Sequence, residues 1–267
     1  MKHYIPTITL AAAIVVGASS VSAQPSNHYR GSSTDTPEIG TERDALRHLV
    51  QDRCLVNWTQ HHSPAPCVRV VVLDSDEAGS GYALVSDRMG AGHYLLVPTR
   101  TMPGLDSGEL LDPDAPNYFA AAWHARDLVN GFVGHEVPRT EIALAVNTAR
   151  TRGQDQFHIH ISCLRADVVE SLRAAADHLT TDALVPVRAG GATYEGVRIT
   201  GADLDATNPV ALLARLKPEV RSRMGDYTVI VAGMQFRDGP GFAALTGLGP
   251  DGDLLLDGAC AVAGAGG

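Results

Sequence analysis

Gln156-Phe157-His158-Ile159-His160-Ile161-Ser162-Cys163 alternates without interruption. Phe157, Ile159 and Ile161 share one parity, and His158, His160 and Ser162 the other. Successive side chains of a strand point to opposite faces. The apolar set therefore belongs in a core. Two imidazoles and a hydroxyl stand in a row on the reverse side, with about 7 Å between neighbouring Cα atoms. A partly exposed polar row on a rigid, buried strand is a suitable platform for positioned chemistry.

The flanking sequence predicts short strands mixed with helices. Helical spacing of Leu46, Leu49 and Val50 places a helix over 42–53. Strands are expected over 68–73, 81–86 and 93–97, with a hairpin turn at 87–92. A helix over 117–132, capped by Asn117, carries Phe119, Trp123 and Leu128. A strand at 141–146 is joined to the histidine strand by a polar connector, 148–155, containing Arg150, Arg152 and Gly153. An amphipathic helix follows at 167–178. Strands near 194–199, 227–235 and 242–247 and a helix near 209–223 complete the pattern. Antiparallel hairpins mixed with helices read as an α+β fold.

Three readings fit the His-x-His row. It is the wet face of an ordinary strand, or half of a metal site whose third ligand is not evident nearby, or a platform for nucleophilic histidine. Neutral imidazole is available near pH 7 and can attack phosphorus. Arg150 and Arg152 suit phosphate oxygens, and equally a solvated basic loop. His93 could reach the row through the upstream strand. Asp155 could orient a water or cap its loop. Trp123 could stack on a base, although a helical tryptophan more often packs in a core.

Composition limits the partners. The 267 residues carry 21 Lys+Arg against 30 Asp+Glu, a formal charge of -9. That balance disfavours nucleic acid, which needs a basic face. The single long apolar run lies at residues 8–16 behind Lys2, and Val21-Ser22-Ala23 follows. This is the layout of a signal peptide over 1–23, with an uncleaved anchor as the alternative. Residues 24–41 form a polar spacer. Four cysteines, Cys54, Cys67, Cys163 and Cys260, agree with export to an oxidising compartment and favour two disulfides. Cys54 and Cys67 bracket a short loop, and Cys163 with Cys260 would then tie the end of the chain to its centre. Three connectivities are open to four cysteines.

The run from Asn147 through His160 resembles the signature of the histidine-triad (HIT) superfamily of nucleotide hydrolases and transferases. Asn147 falls on its asparagine, Gly153-Gln154 on its Gly-Gln pair, His158 on its first histidine and His160 on its nucleophile. Ser162 stands where the third histidine would be, as in transferase branches that also replace it. Gly92-His93-Tyr94-Leu95-Leu96-Val97-Pro98 is similar to the superfamily's upstream strand. A closer resemblance is to the CDP-diacylglycerol pyrophosphatase family. It is carried by Tyr94-Leu95-Leu96-Val97-Pro98-Thr99, Leu111-Asp112-Pro113, Ala122-Trp123-His124-Ala125-Arg126-Asp127 and the stretch from Phe157 to Arg165. All four cysteines have counterparts there.

The resemblance implies a phospholipid-nucleotide hydrolase that cleaves CDP-diacylglycerol to CMP and phosphatidate. His160 would be the nucleophile. His158, Gln154 and Asn147 would orient it or face phosphate, and Ser162 would donate to a phosphate oxygen. Arg150, Arg152 and His93 complete the candidate set. No metal and no cofactor are required if these donors serve instead. The implied fold is a curved antiparallel HIT-like sheet with packed helices at 42–180. Residues 181–267 would form a second α+β half, either a degenerate HIT-like copy or a lipid-facing appendage. A membrane surface and a second copy of the chain are the other expected partners, outside the cytoplasm.

Overall fold

A computed structural model describes residues 40–73, 81–88, 90–112 and 114–264. The proposed signal peptide and nearly all of the spacer lie outside these residues. The fold is α+β, built on one large antiparallel sheet. Its strands are β1 (Arg69–Val72), β2 (Gly81–Ser86), β3 (Tyr94–Pro98), β4 (Ile142–Val146), β5 (Ile159–Leu164), β6 (Val185–Ala189), β7 (Ala192–Thr200), β8 (Tyr227–Phe236), β9 (Gly239–Leu248) and β10 (Leu256–Asp257). They lie in the order β1-β2-β3-β5-β4-β8-β9-β7-β6, and β10 pairs with β5. Within this order, β2-β3-β5-β4 is followed in reverse by β8-β9-β7-β6, the same arrangement approached from the other side. The two runs meet where β4 pairs antiparallel with β8.

The helices follow from local chemistry. α1 (Ala45–His48) continues through a π-helical turn (Leu49–Cys54) into α2 (Leu55–His61), past the predicted end. α3 (Tyr118–His124) starts at Asn117, whose side chain accepts the N–H of Ala120 at 3.2 Å, as expected of that cap. The single helix predicted here breaks at Ala125-Arg126, and α4 (Asp127–Val133) follows. α5 is Ala166–Ala175. The helix expected over 209–223 divides into α6 (Pro209–Leu216) and α7 (Pro218–Arg221), because a residue before proline is pushed out of the helical region and Lys217 sits at φ -134. α8 is Ala261–Gly264. β6 and β10 were not anticipated.

Both sheet faces are covered, but unevenly. One face carries the largest core, with Leu96, Trp123, Leu144, Ile159, Ile161, Val231 and Phe242 buried together. On the other face the α1–α2 segment covers β1–β3 through Leu46, Leu49 and Val50 against Val85 and Leu95. Farther along, α5 packs Val168 and Leu172 with Ile230 and Leu245. His160 stands opposite Leu95 of β3 and Ala145 of β4. Directly opposed residues share a face, so the polar row lies between these two covered patches.

Candidate active site

Phe157, Ile159 and Ile161 are buried in the main core, as their parity predicts. This anchors β5 and turns His158, His160 and Ser162 to the other side. β3 delivers His93 just before its first residue. The His93 Nε2 and His160 Nδ1 atoms are 2.9 Å apart, a hydrogen bond inside the protein. The two rings meet edge to face with centroids 5.0 Å apart, and the His158 and His160 rings do so at 4.9 Å. Asp87, at the end of β2, places Oδ2 3.7 Å from both His93 Nε2 and His160 Nδ1. Nε2 of His160 is buried and meets no hydrogen-bond partner among the described residues.

The electrostatics fix the forms of two rings. Burial, and then the neighbouring His160, push His93 down to about 4. Burial and His160 likewise push His158 down to about 4. Asp87 and Asp253 act in the opposite direction on both rings but do not prevail. Both rings are therefore neutral at pH 7. His158 Nδ1 lies 2.7 Å from the carbonyl of Gln156 and must donate to it, which leaves Nε2 as an acceptor. The Asp87 carboxyl is held below its ordinary value: burial opposes ionisation, and the neighbouring His160 and His93 rings and the N–H of Arg88 together outweigh it.

The row is more enclosed than expected. His158 and His160 are 8% and 5% exposed and Ser162 is 0% exposed, where a partly exposed face was anticipated. The cover is the segment 249–258, which folds back over the histidine face. Gly252 lies there: a Cβ on it would stand 2.6 Å from Thr228 Oγ1 and 3.2 Å from the Ala145 Cβ. Asn147 Oδ1 accepts the N–H of Gly252 at 2.8 Å and of Asp253 at 3.2 Å. Arg150 is exposed and donates to the carbonyl of Gly249 at 3.3 Å. The Ser162 hydroxyl faces the carbonyls of Gly92 at 3.0 Å and Asp257 at 3.3 Å. Its one proton is committed to backbone.

Other candidates sit at the margin. Gln154 accepts the N–H of Leu46 and donates to the carbonyl of Glu42, fastening the N-terminal helix. Arg152 is buried and ion-paired with Asp106 at 2.5 Å and Asp155 at 3.2 Å. With Asn147, Gln156, Phe157 and His158 it lines a small cavity of about 10 Å³ beside the row. Asp155 also pairs with Arg43 at 2.6 Å, and Arg43 and Arg152 hold its carboxyl down at about 2. Trp123 is a core residue whose Nε1 donates to the carbonyl of Ala202.

Asp87, His93 and His160 could also offer three ligand atoms to a cation, all within 4.8 Å of one another. A tetrahedral zinc with bonds of 2.0–2.1 Å would hold its ligands about 3.3 Å apart. The 2.9 Å contact between the two rings is the separation of a hydrogen bond.

The profile of the CDP-diacylglycerol pyrophosphatase family matches residues 41–263, which span both runs of the sheet and every group just described. The chain belongs to this family. A CDP-diacylglycerol pyrophosphatase is an enzyme, a hydrolase of the phosphoric anhydride in a lipid-linked nucleotide. Of the motif residues legible in the sequence, His158, His160 and Ser162 share one face of the histidine strand and Asn147 holds the segment that covers it, whereas Gln154 fastens the N-terminal helix. Asp87 and the covering residues Gly252 and Asp253 were missed. Asp87 opens an ordinary turn, and residues about a hundred positions downstream carry no local signal of where they dock.

Proposed function

We propose that this enzyme cleaves CDP-diacylglycerol in two displacements through a cytidylyl-histidine at His160. The observation that carries this reading is the unpartnered, buried Nε2 of a ring whose Nδ1 is already engaged by His93. His93 is neutral at pH 7, so its Nε2 can accept the Nδ1 proton of His160. That arrangement leaves the His160 Nε2 lone pair free to bond phosphorus. Phosphatidate leaves, and water then releases CMP. His158 offers Nε2 as an acceptor beside the same ring. Arg152 and Asn147 line the adjoining cavity on the phosphate side. Ser162 and Gln154 hold the backbone around the site, and Arg150 fastens the covering segment.

Because Nε2 of His160 is enclosed, substrate reaches it by displacing part of 249–258. Exposed apolar side chains neighbour that path and suit a lipid. Leu254 is 60% and Phe132 43% exposed, and Phe132 lies against Gly92. Among the described residues no helix is long and apolar enough to cross a membrane. We assign the protein to the outside of the cytoplasm, at a membrane surface. The leader-like 1–23 and the Cys54–Cys67 and Cys163–Cys260 bonds support this.

The repeated strand order supports a HIT-like unit at 42–180 and a degenerate second copy at 181–267. β5 and β9 correspond, and the apolar β9 carries no histidine. One chain would thereby imitate a two-fold dimer, leaving the outer strands β1 and β6 for any homo-oligomer.

The test is a rapid quench at neutral pH with CDP-diacylglycerol labelled in the cytidylyl group. A CMP adduct on the peptide containing His160 is expected in the native enzyme and not in His160→Ala. Near-normal hydrolysis by His160→Ala would exclude this nucleophile. Faster turnover of CDP-choline than of the lipid would transfer the reading to soluble nucleotides.

A further inference from the structure

Asp87 belongs to no motif, yet it is the only carboxylate among the described residues that reaches the His93–His160 hydrogen bond. Its position is built. The N–H of Asp87 donates to the carbonyl of His93 at 2.9 Å, closing the turn between β2 and β3. Its Oδ1 accepts the N–H of Arg88 at 2.6 Å. The side chain is 10% exposed, and Oδ2 lies 3.7 Å from both His93 Nε2 and His160 Nδ1. Those two nitrogens are 2.9 Å apart and share one proton, since protons on both would collide.

We infer that Asp87 is the positioning carboxylate of this site: equally near both nitrogens, it holds a proton in the bond between the two rings, and it offsets the positive charge the His160 ring acquires on bonding phosphorus. The inference rests on His160 being the nucleophile. In the first step the Nε2–phosphorus bond forms. The bond to the bridging oxygen breaks, and its electron pair leaves with phosphatidate. In the second step water oxygen bonds phosphorus and the nitrogen–phosphorus pair returns to Nε2. The water proton passes to solvent. The Nδ1 proton stays between His160, His93 and Asp87 throughout. A fixed negative charge beside an imidazole that becomes cationic stabilises that state without reorganisation, as the aspartate of a serine-protease triad does for its histidine.

The experiment is ¹⁵N NMR of the histidine rings in the full chain at pH 7 without substrate, with His160 assigned by loss of its signals in His160→Gln. The native protein should show one slowly exchanging N–H proton held between Nδ1 of His160 and Nε2 of His93. In Asp87→Asn that shared proton should exchange faster and its hydrogen-bond coupling weaken. The kcat of this variant should fall about 100-fold or more while KM moves less than about three-fold. Asp87→Glu should restore part of kcat and the native shared-proton signal, which a role confined to folding the turn would not predict. An unchanged shared-proton signal in Asp87→Asn, or in a destabilised variant the native shared-proton signal among the folded signals, overturns the inference. So does stoichiometric zinc in the purified native chain, which would stand where the proton is placed. The shared proton is read without turnover, so it holds or fails independently of whether a cytidylyl adduct forms.

Discussion

The side-chain oxygen of Asn147, at the end of β4, holds Gly252 across 105 positions of sequence, accepting its N–H at 2.8 Å, and also accepts the N–H of Asp253 at 3.2 Å. One acceptor therefore fixes the middle of the segment that closes the histidine face. The same residue lines the cavity beside His158. Its side-chain oxygen is thus committed to the cover, and its amide is the group left for the proposed phosphate contact.

Substitution separates these tasks. Asn147→Ala leaves the buried Gly252 N–H without its acceptor, a loss of about 1–3 kcal/mol. For a chain of this size that lowers Tm by about 2–4 °C per kcal/mol, and proteolysis within 249–258 should accelerate. Asn147→Asp keeps an acceptor for both N–H groups, so protection of the segment should be native. It replaces the amide donor by a negative charge beside the phosphate path, and kcat/KM should fall about 10–100-fold. Native kcat/KM in Asn147→Asp would show that the amide touches no phosphate.

Ser162→Ala should be mild. The hydroxyl proton is shared between two backbone carbonyls at a fully buried position. Its loss costs about 0.5–1.5 kcal/mol of stability, read as a shift of the urea midpoint. Turnover per folded molecule should stay within about three-fold. A loss of about 100-fold at native stability would mean that the hydroxyl turns to the phosphate during the reaction, worth about 2.7 kcal/mol of barrier.

The alternation in 156–163 was sufficient to place β5, its core face and its polar face, because a strand's two faces are a local property. The cap at Asn117 and the β2–β3 hairpin were legible for the same reason. The burial of the histidines was not. It arises from 249–258 docking over them, a contact held by Asn147, Ser162, Arg150 and a disulfide, each reaching about a hundred residues along the chain. The resemblance placed Asn147 beside the chemistry. Only the fold shows that its oxygen first serves the cover. Asp87 is invisible in sequence because only the folded turn brings it beside His93 and His160, and turn residues are common.

Acid should destabilise the fold well before the carboxylates titrate. His93 and His158 are held at about 4 against an ordinary 6.5. Above about pH 6.5 both are neutral folded and unfolded, and they contribute no pH dependence. Between 6.5 and 4 the unfolded chain binds protons that the folded chain refuses, so stability falls as pH drops through this window. Together the two rings account for an order of a few kcal/mol. Urea titrations at pH 7.5, 6, 5 and 4.5 should show the decline, and His93→Gln should flatten roughly half of it. A stability independent of pH from 7.5 to 4.5 would mean that neither ring is held neutral.

The two disulfides should separate stability from catalysis. Cys54–Cys67 closes a separation of 13 residues and Cys163–Cys260 one of 97. On the loop-entropy account the first contributes about 3 and the second about 4.7 kcal/mol. Their places differ more than their loops do. Cys54 and Cys67 lie with the α1–α2 segment on β1–β3. Cys163 is on β5 itself, opposite Asp257 of β10, so its bond anchors the far end of the segment covering the histidines. Cys54→Ala/Cys67→Ala should therefore lower Tm while folded molecules turn over near the native rate. Cys163→Ala/Cys260→Ala should lower Tm further. With the cover held by hydrogen bonds alone, among them those of Asn147, Ser162 and Arg150, it should also change KM for the lipid and expose His160 Nε2 to diethyl pyrocarbonate. Equal modification rates at His160 in both double variants, measured below their Tm, would show that the 163–260 bond secures the chain end without governing access to the ring.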